Sequence, residues 1–155
     1  MLALTVPLAL SLRDRARSEQ ETQALTSALT IAAILNRDSL KEGPVLDRLV
    51  KRFAAQIEDG RVIVTDSKGV VLADSDGTAK GENFSTPLRP EMQEALGQGG
   101  LTPKPNADIR PSQDVGADIL VAAAPVLDPG LIGAASERNR IAMSWHPGTL
   151  SGGHR

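Results

Sequence analysis

The apolar residues change their spacing partway along the chain, and that change limits the fold more than any other feature. Up to Ile57 they recur three and four apart. Leu25, Ala28, Leu29, Ala32 and Leu35 line one stripe, with Arg17, Glu19, Gln20 and Glu21 kept polar, and Leu46, Leu49, Val50, Phe53 and Ile57 line a second. These are the spacings of amphipathic helices. The first is expected to end near Asn36. Ser39 with Glu42 suits a capping box for a short turn. Gly43-Pro44 restarts the chain with Pro in a first helical turn, and Gly60 suits the stop of the second helix.

From Arg61 onward the period becomes two. Arg61 to Thr65 and Val70 to Ala73 read as strands joined by Asp66-Ser67-Lys68-Gly69, with Asp and Gly where a type I turn wants them. Residues 90 to 96 read as a short helix closed by Gly97. Residues 98 to 117 are polar and rich in Pro and Gly, which predicts loop. Asp118 to Pro125 reads as a strand, Asp128-Pro129-Gly130 as a turn, and Leu131 to Ala134 as the start of another strand. The expected class is α+β: a long N-terminal helix and a second helix packed on a central antiparallel sheet, with a short helix between two hairpins.

At 155 residues the chain has room for one domain. Its only aromatic residues are Phe53, Phe84 and Trp145, and its net charge is −2. Neither base stacking nor a basic surface is available, so nucleic acid is not an expected partner. The absence of cysteine excludes disulfides and thiol chemistry. The two histidines, His146 and His154, have no third ligand at a sensible spacing, so neither a metal nor a cofactor is expected. Met1 to Leu12 is uncharged and mostly apolar, then Arg13, Asp14, Arg15 and Arg17 follow. A spanning helix needs about 20 apolar residues. The stretch is read as part of a membrane anchor whose start lies upstream; a buried helix start and a signal peptide are the alternatives.

The run from Arg61 to Ser75 (Arg-Val-Ile-Val-Thr-Asp-Ser-Lys-Gly-Val-Val-Leu-Ala-Asp-Ser), then Arg89-Pro90-Glu91-Met92 with Ala95-Leu96-Gly97, then Ile119 to Val126 with Leu131-Ile132-Gly133-Ala134, resembles the extracytoplasmic sensor domain of bacterial sensor histidine kinases. The domain is of the single Cache type, similar to PAS, and the apolar lead-in before Arg13-Asp14-Arg15-Ala16-Arg17 is similar to actinobacterial members. The resemblance covers about residues 1 to 134. It divides the chain into a partial anchor at 1–12, a sensor domain at 13–135 and an irregular tail at 136–155, such as a frameshift or a truncated gene model would leave. It implies a second membrane helix, a helix with the phospho-accepting His and an ATP-binding domain, none of which this chain contains. It also implies an unknown small-molecule ligand, a homodimer formed through the first helix, a place at the cell membrane, and a response regulator reached only through the kinase part.

In relatives that sense citrate or fumarate, basic side chains hold the ligand carboxylates. The corresponding places here look like Val71, Asp74 and the strand near Val121, which implies a domain that does not bind di- or tricarboxylates. Asp74, Asn83, Phe84, Arg89 and Val121 are the candidate ligand-binding residues, with Val64 and Leu72 as further lining. For the polar three, capping turns and the short helix is the alternative role. No catalytic residue is expected. Two other readings compete. Asp74-Ser75-Asp76-Gly77-Thr78 after an apolar strand spells the first motif of haloacid-dehalogenase-type phosphatases, in which the first Asp is the nucleophile and the second the acid/base. That fold needs a parallel sheet, and its remaining motifs are missing. The other is an orphan dimerising module. A calcium loop fails on spacing, since Gly77 directly follows the second acid. Asn83-Phe84-Ser85 spells a glycosylation triplet, which a bacterial source leaves uninformative.

Overall fold

A computed structural model describes residues 5–35, 42–57, 60–100, 102–112, 116–126 and 141–146. Helix α1 runs over Thr5–Ile34 and α2 over Gly43–Ala54. Strands β1 (Arg61–Thr65) and β2 (Val71–Asp74) follow, then helix α3 (Pro90–Leu96) and strands β3 (Asn106–Ser112), β4 (Ala117–Val126) and β5 (Ile141–His146). The five strands form one sheet in the order β2-β1-β5-β4-β3, antiparallel throughout. The class is the expected α+β.

Helix α1 joins residues 5–12 of the apolar start to the amphipathic stretch in one element of about 45 Å. Residues 11–20 are exposed around its whole circumference, and burial begins at Ala24. The buried stripe is Ala24, Ala28, Ile31, Ala32 and Leu35, whereas Leu29 is 43% exposed and Leu25 only half-buried. Three alanines in that stripe let the helix axis lie close to the sheet, which turns the larger leucines outward. Among the described residues, no helix is long and apolar enough to cross a membrane.

Helix α2 has no side-chain cap, since Glu42 at the N-cap makes no such bond. A missing cap costs about 1 kcal/mol. Burying Leu46, Val50 and Phe53 against the sheet stabilises by about 1.5–3 kcal/mol each, so packing decides. The helix stops at Ala54, earlier than Gly60. The chain tightens there into i→i+3 bonds, from Gln56 N–H to Phe53 and from Ile57 N–H to Ala54, and Ile57 still packs on the core. Ser39 lies outside the described residues.

The β1–β2 hairpin forms on its expected turn. The Asp66 carboxylate accepts the N–H groups of Lys68 and Val70, and Gly69 takes φ +84°. A Cβ at Gly69 would stand 2.4 Å from the Ser85 Cβ, so the turn and the 83–85 loop meet only because the residue is glycine. Strand β2 sits one residue later than expected, and Val70 pairs instead with Asn83. Helix α3 ends as expected at Gly97, which is left-handed at φ 65°.

Two differences from expectation concern the sheet. Residues 106–112, read as loop, form the edge strand β3, paired from Asn106↔Ala123 to Ser112↔Ala117. An edge strand can carry Pro111 and several polar residues, which is why its composition resembles a loop. The central strand is β5, inserted between β1 (Val62↔Trp145) and β4 (Ala124↔Met143). It lies within the segment read as an irregular tail. The strand expected at Leu131–Ala134 lies outside the described residues.

Helices α1 and α2 cover one face of the sheet and α3 the other. Val62, Val64, Ala73, Leu120, Ala122, Ala124 and Val126 point to α1 and α2. Ile63, Val71 and Ala123 point to α3 and pack with Ala79, Phe84, Met92, Ala95 and Leu96.

Candidate functional site

Strand alternation decides which residues can share a site. Leu120 and Ala122 belong to the α1/α2 face, so Ile119, Val121 and Ala123 belong to the α3 face. The same alternation on β3 puts Ala107 and Ile109 against the α1/α2 core and Asn106, Asp108 and Arg110 on the α3 face. Of the candidate residues, Phe84, Arg89 and Val121 therefore belong together on the α3 side. Val64 and Leu72 pack against the α1/α2 core and are removed from the candidates.

Arg89 precedes α3, and its guanidinium lies 3.4 Å from the Phe84 ring centroid. This is a cation–π contact on a buried ring. Asn83 is exposed, and its Oδ1 accepts the Ser85 N–H at 2.8 Å, a local turn bond. The hydroxyl of Ser85 in turn bonds the Gln98 Oε1, tying this loop to the turn after α3.

Asp74 closes the loop after β2. Its carboxylate accepts Arg61 Nε at 2.9 Å and Nη2 at 2.7 Å. It also accepts the backbone N–H groups of Asp76, Thr78 and Ala79 at 3.1, 3.0 and 2.9 Å. Its side chain is 0% exposed. Burial by itself would raise this carboxyl, but the Arg61 bond, the Ala79 and Asp76 amides and the Arg61 charge outweigh it and lower the pKa to about 2. A nucleophile must be reachable and have lone pairs to spare, and Asp74 has neither. With the antiparallel sheet, this removes the phosphatase reading. Asp76 is half-exposed, 3.5 Å from Arg61.

Two residues not among the candidates complete the α3 face. Glu91, in the first turn of α3, has a side chain with 0% exposure. Its Oε1 accepts Arg110 Nε from β3 at a long 3.3 Å, and its Oε2 is sealed from water with no hydrogen-bond partner among the described residues. Burial pushes the Glu91 carboxyl above its ordinary value, an effect that its own backbone N–H and Arg110 offset only in part. The sequence signals were slight: an acid inside a helix too short to show a period, and an Arg in a segment read as loop.

The sequence matches no family model, and no curated protein matches it. Among solved structures the chain is similar to the sensor domain of DcuS from E. coli, at a TM-score of 0.63 and 17% identity over 87% of this chain and 92% of that one. It is also similar to the sensor domain of the histidine kinase DctB from V. cholerae, at 0.49 and 15% identity, over 90% of this chain and 57% of that one. The α+β fold is thus shared with the DcuS sensor domain.

Proposed function

We propose that the chain is an extracytoplasmic signal-sensing domain of a membrane-bound sensor histidine kinase in a two-component system, and that its α3 face is the ligand face. One observation carries the reading. The fold, with its long first helix and its sheet in the order β2-β1-β5-β4-β3, superposes on the DcuS sensor domain over 87% of this chain and 92% of that one. Burial on both faces supports the choice of side: α1 and α2 cover theirs with an apolar layer, whereas the α3 face mixes Phe84 and Val121 with Arg89, Glu91 and Arg110. A recognition site needs such a mixture, an apolar wall with a few placed polar groups.

In this reading a small ligand biases a two-state equilibrium of the domain, and a response regulator is reached only through a kinase core. Leu12, Leu29 and Ile34 are large apolar side chains exposed on α1 at 61, 43 and 52%, which supports pairing of two copies through that helix. At the places that basic groups occupy in carboxylate-sensing relatives stand the buried Val71 and Val121 and the fully engaged Asp74. The domain accordingly takes neither citrate nor succinate.

The test is amide chemical-shift mapping of the chain against a small-molecule library. A binder should shift the amides of Phe84, Met92, Val121 and Ala123 and leave those of Leu46 and Val50 in place. Binders that map only to α1 and α2, or no binder at all, would overturn the assignment.

A further inference from the structure

We infer that Glu91 anchors the ligand of the α3 face, and that the ligand is a small aliphatic compound carrying a protonated amine. The inference rests on the reading of that face as the sensing face. Glu91 is fully buried, yet one of its oxygens has a single long bond and the other has no partner among the described residues. Buried polar atoms in native proteins are almost always paired, and a carboxylate accepts only, so its missing partner is a donor. A cationic donor gives the strongest such bond.

The surroundings favour the same chemistry. Met92, Ala95, Ile63, Val71 and Ala123 form an apolar cluster on this side of the sheet, which suits an aliphatic body. Asp108 faces the same side of β3 as Arg110 and adds a second acceptor, half-buried. Arg110 bonds Glu91, and Arg89 stacks on Phe84. A dicarboxylate would meet Glu91 as a like charge. The helix that carries Glu91 is also short. Helix α3 has seven residues, and Gly97, Gly99 and Gly100 follow it at positive φ.

Two shape-matched pairs test the idea on the 155-residue chain: isobutylamine against isobutyrate, and L-leucine against 4-methylpentanoate. Each is titrated by calorimetry and followed by melting temperature, with succinate and citrate in parallel. At least one amine should bind where its amine-free partner does not. Glu91→Gln, of nearly the same shape, should weaken that binding about tenfold or more, while Glu82→Gln, which removes an exposed acid, leaves it unchanged. If carboxylates bind and no amine does, the inference falls and ligand sensing at this face stands. If the amines bind Glu91→Gln as well as they bind the parent chain, Glu91 is not the anchor. If neither amine binds, the inference falls, and the library screen decides separately whether the face binds anything.

Discussion

Asp74 and Glu91 are two carboxylates with no exposed side-chain surface, on the same side of one sheet, whose pKa values shift in opposite directions. Asp74 has a bidentate arginine and three backbone amides, and its pKa falls to about 2. Glu91 has one long contact and an orphan oxygen, and its pKa rises. Burial is common to both, so the number of donors sets the direction. The first carboxylate is spent on holding the loop from Ser75 to Ala79. The second costs stability that the Arg110 contact returns only in part, the pattern expected of a group kept for binding.

The largest effect should come from Asp74→Ala. Removing one partner of a buried pair costs about 3–5 kcal/mol, against a total stability of roughly 5–15 kcal/mol for a domain. Urea denaturation at neutral pH measures it, and a loss below about 1 kcal/mol would mean that the loop does not depend on this carboxylate. Next comes Glu91→Gln, which removes a charge that burial disfavours and should raise the urea midpoint at pH 7. The pH profile separates the two residues. Because the folded pKa of Glu91 is raised, its contribution is fully present below about 4.5 and is lost as pH rises through the higher folded value. Asp74 does the reverse: its contribution is present above about 3.8 and is lost as pH falls toward about 2. The melting temperature of the parent chain should therefore decline as pH rises above 4.5, and Glu91→Gln should flatten that decline. An unchanged slope in the variant would assign the titration to another group.

How much of this could be read from the sequence depends on how local each signal is. The β1–β2 turn and α3 were legible because Asp66, Gly69, Pro90 and Gly97 each satisfy a requirement within a few residues. The register of α1 was legible only in part: Ala28, Ala32 and Leu35 of the expected stripe are buried, but Leu25 and Leu29 fit a helical stripe as well as Ala24 and Ile31 do, and only the approach of the sheet selects between them. Strand β3 was hidden by its edge position, and β5 by its distance in sequence from the strands it pairs with, Arg61–Thr65 above all. Of the candidate residues, Phe84 and Val121 could be placed by alternation and apolar character. Glu91 could not: its role depends on Arg110, nineteen residues away on a strand the composition conceals.

The smallest effect sharpens the contrast from the outside. Lys80 bridges to Asp47 on α2 at 2.9 Å, as short as most of the Asp74 bonds, but the two side chains are 51 and 38% exposed. Water solvates both ions whether or not they pair, so the contact is expected to contribute less than about 1 kcal/mol, and Lys80→Ala should shift the urea midpoint only slightly. Salt discriminates further. Raising ionic strength should erase what little the Lys80–Asp47 pair adds while leaving the Asp74 cluster nearly untouched, since a buried pair is screened far less. If Lys80→Ala instead costs as much as Asp74→Ala, distance rather than burial and donor number governs these ion pairs, and the account of why Asp74 and Glu91 differ would have to be abandoned.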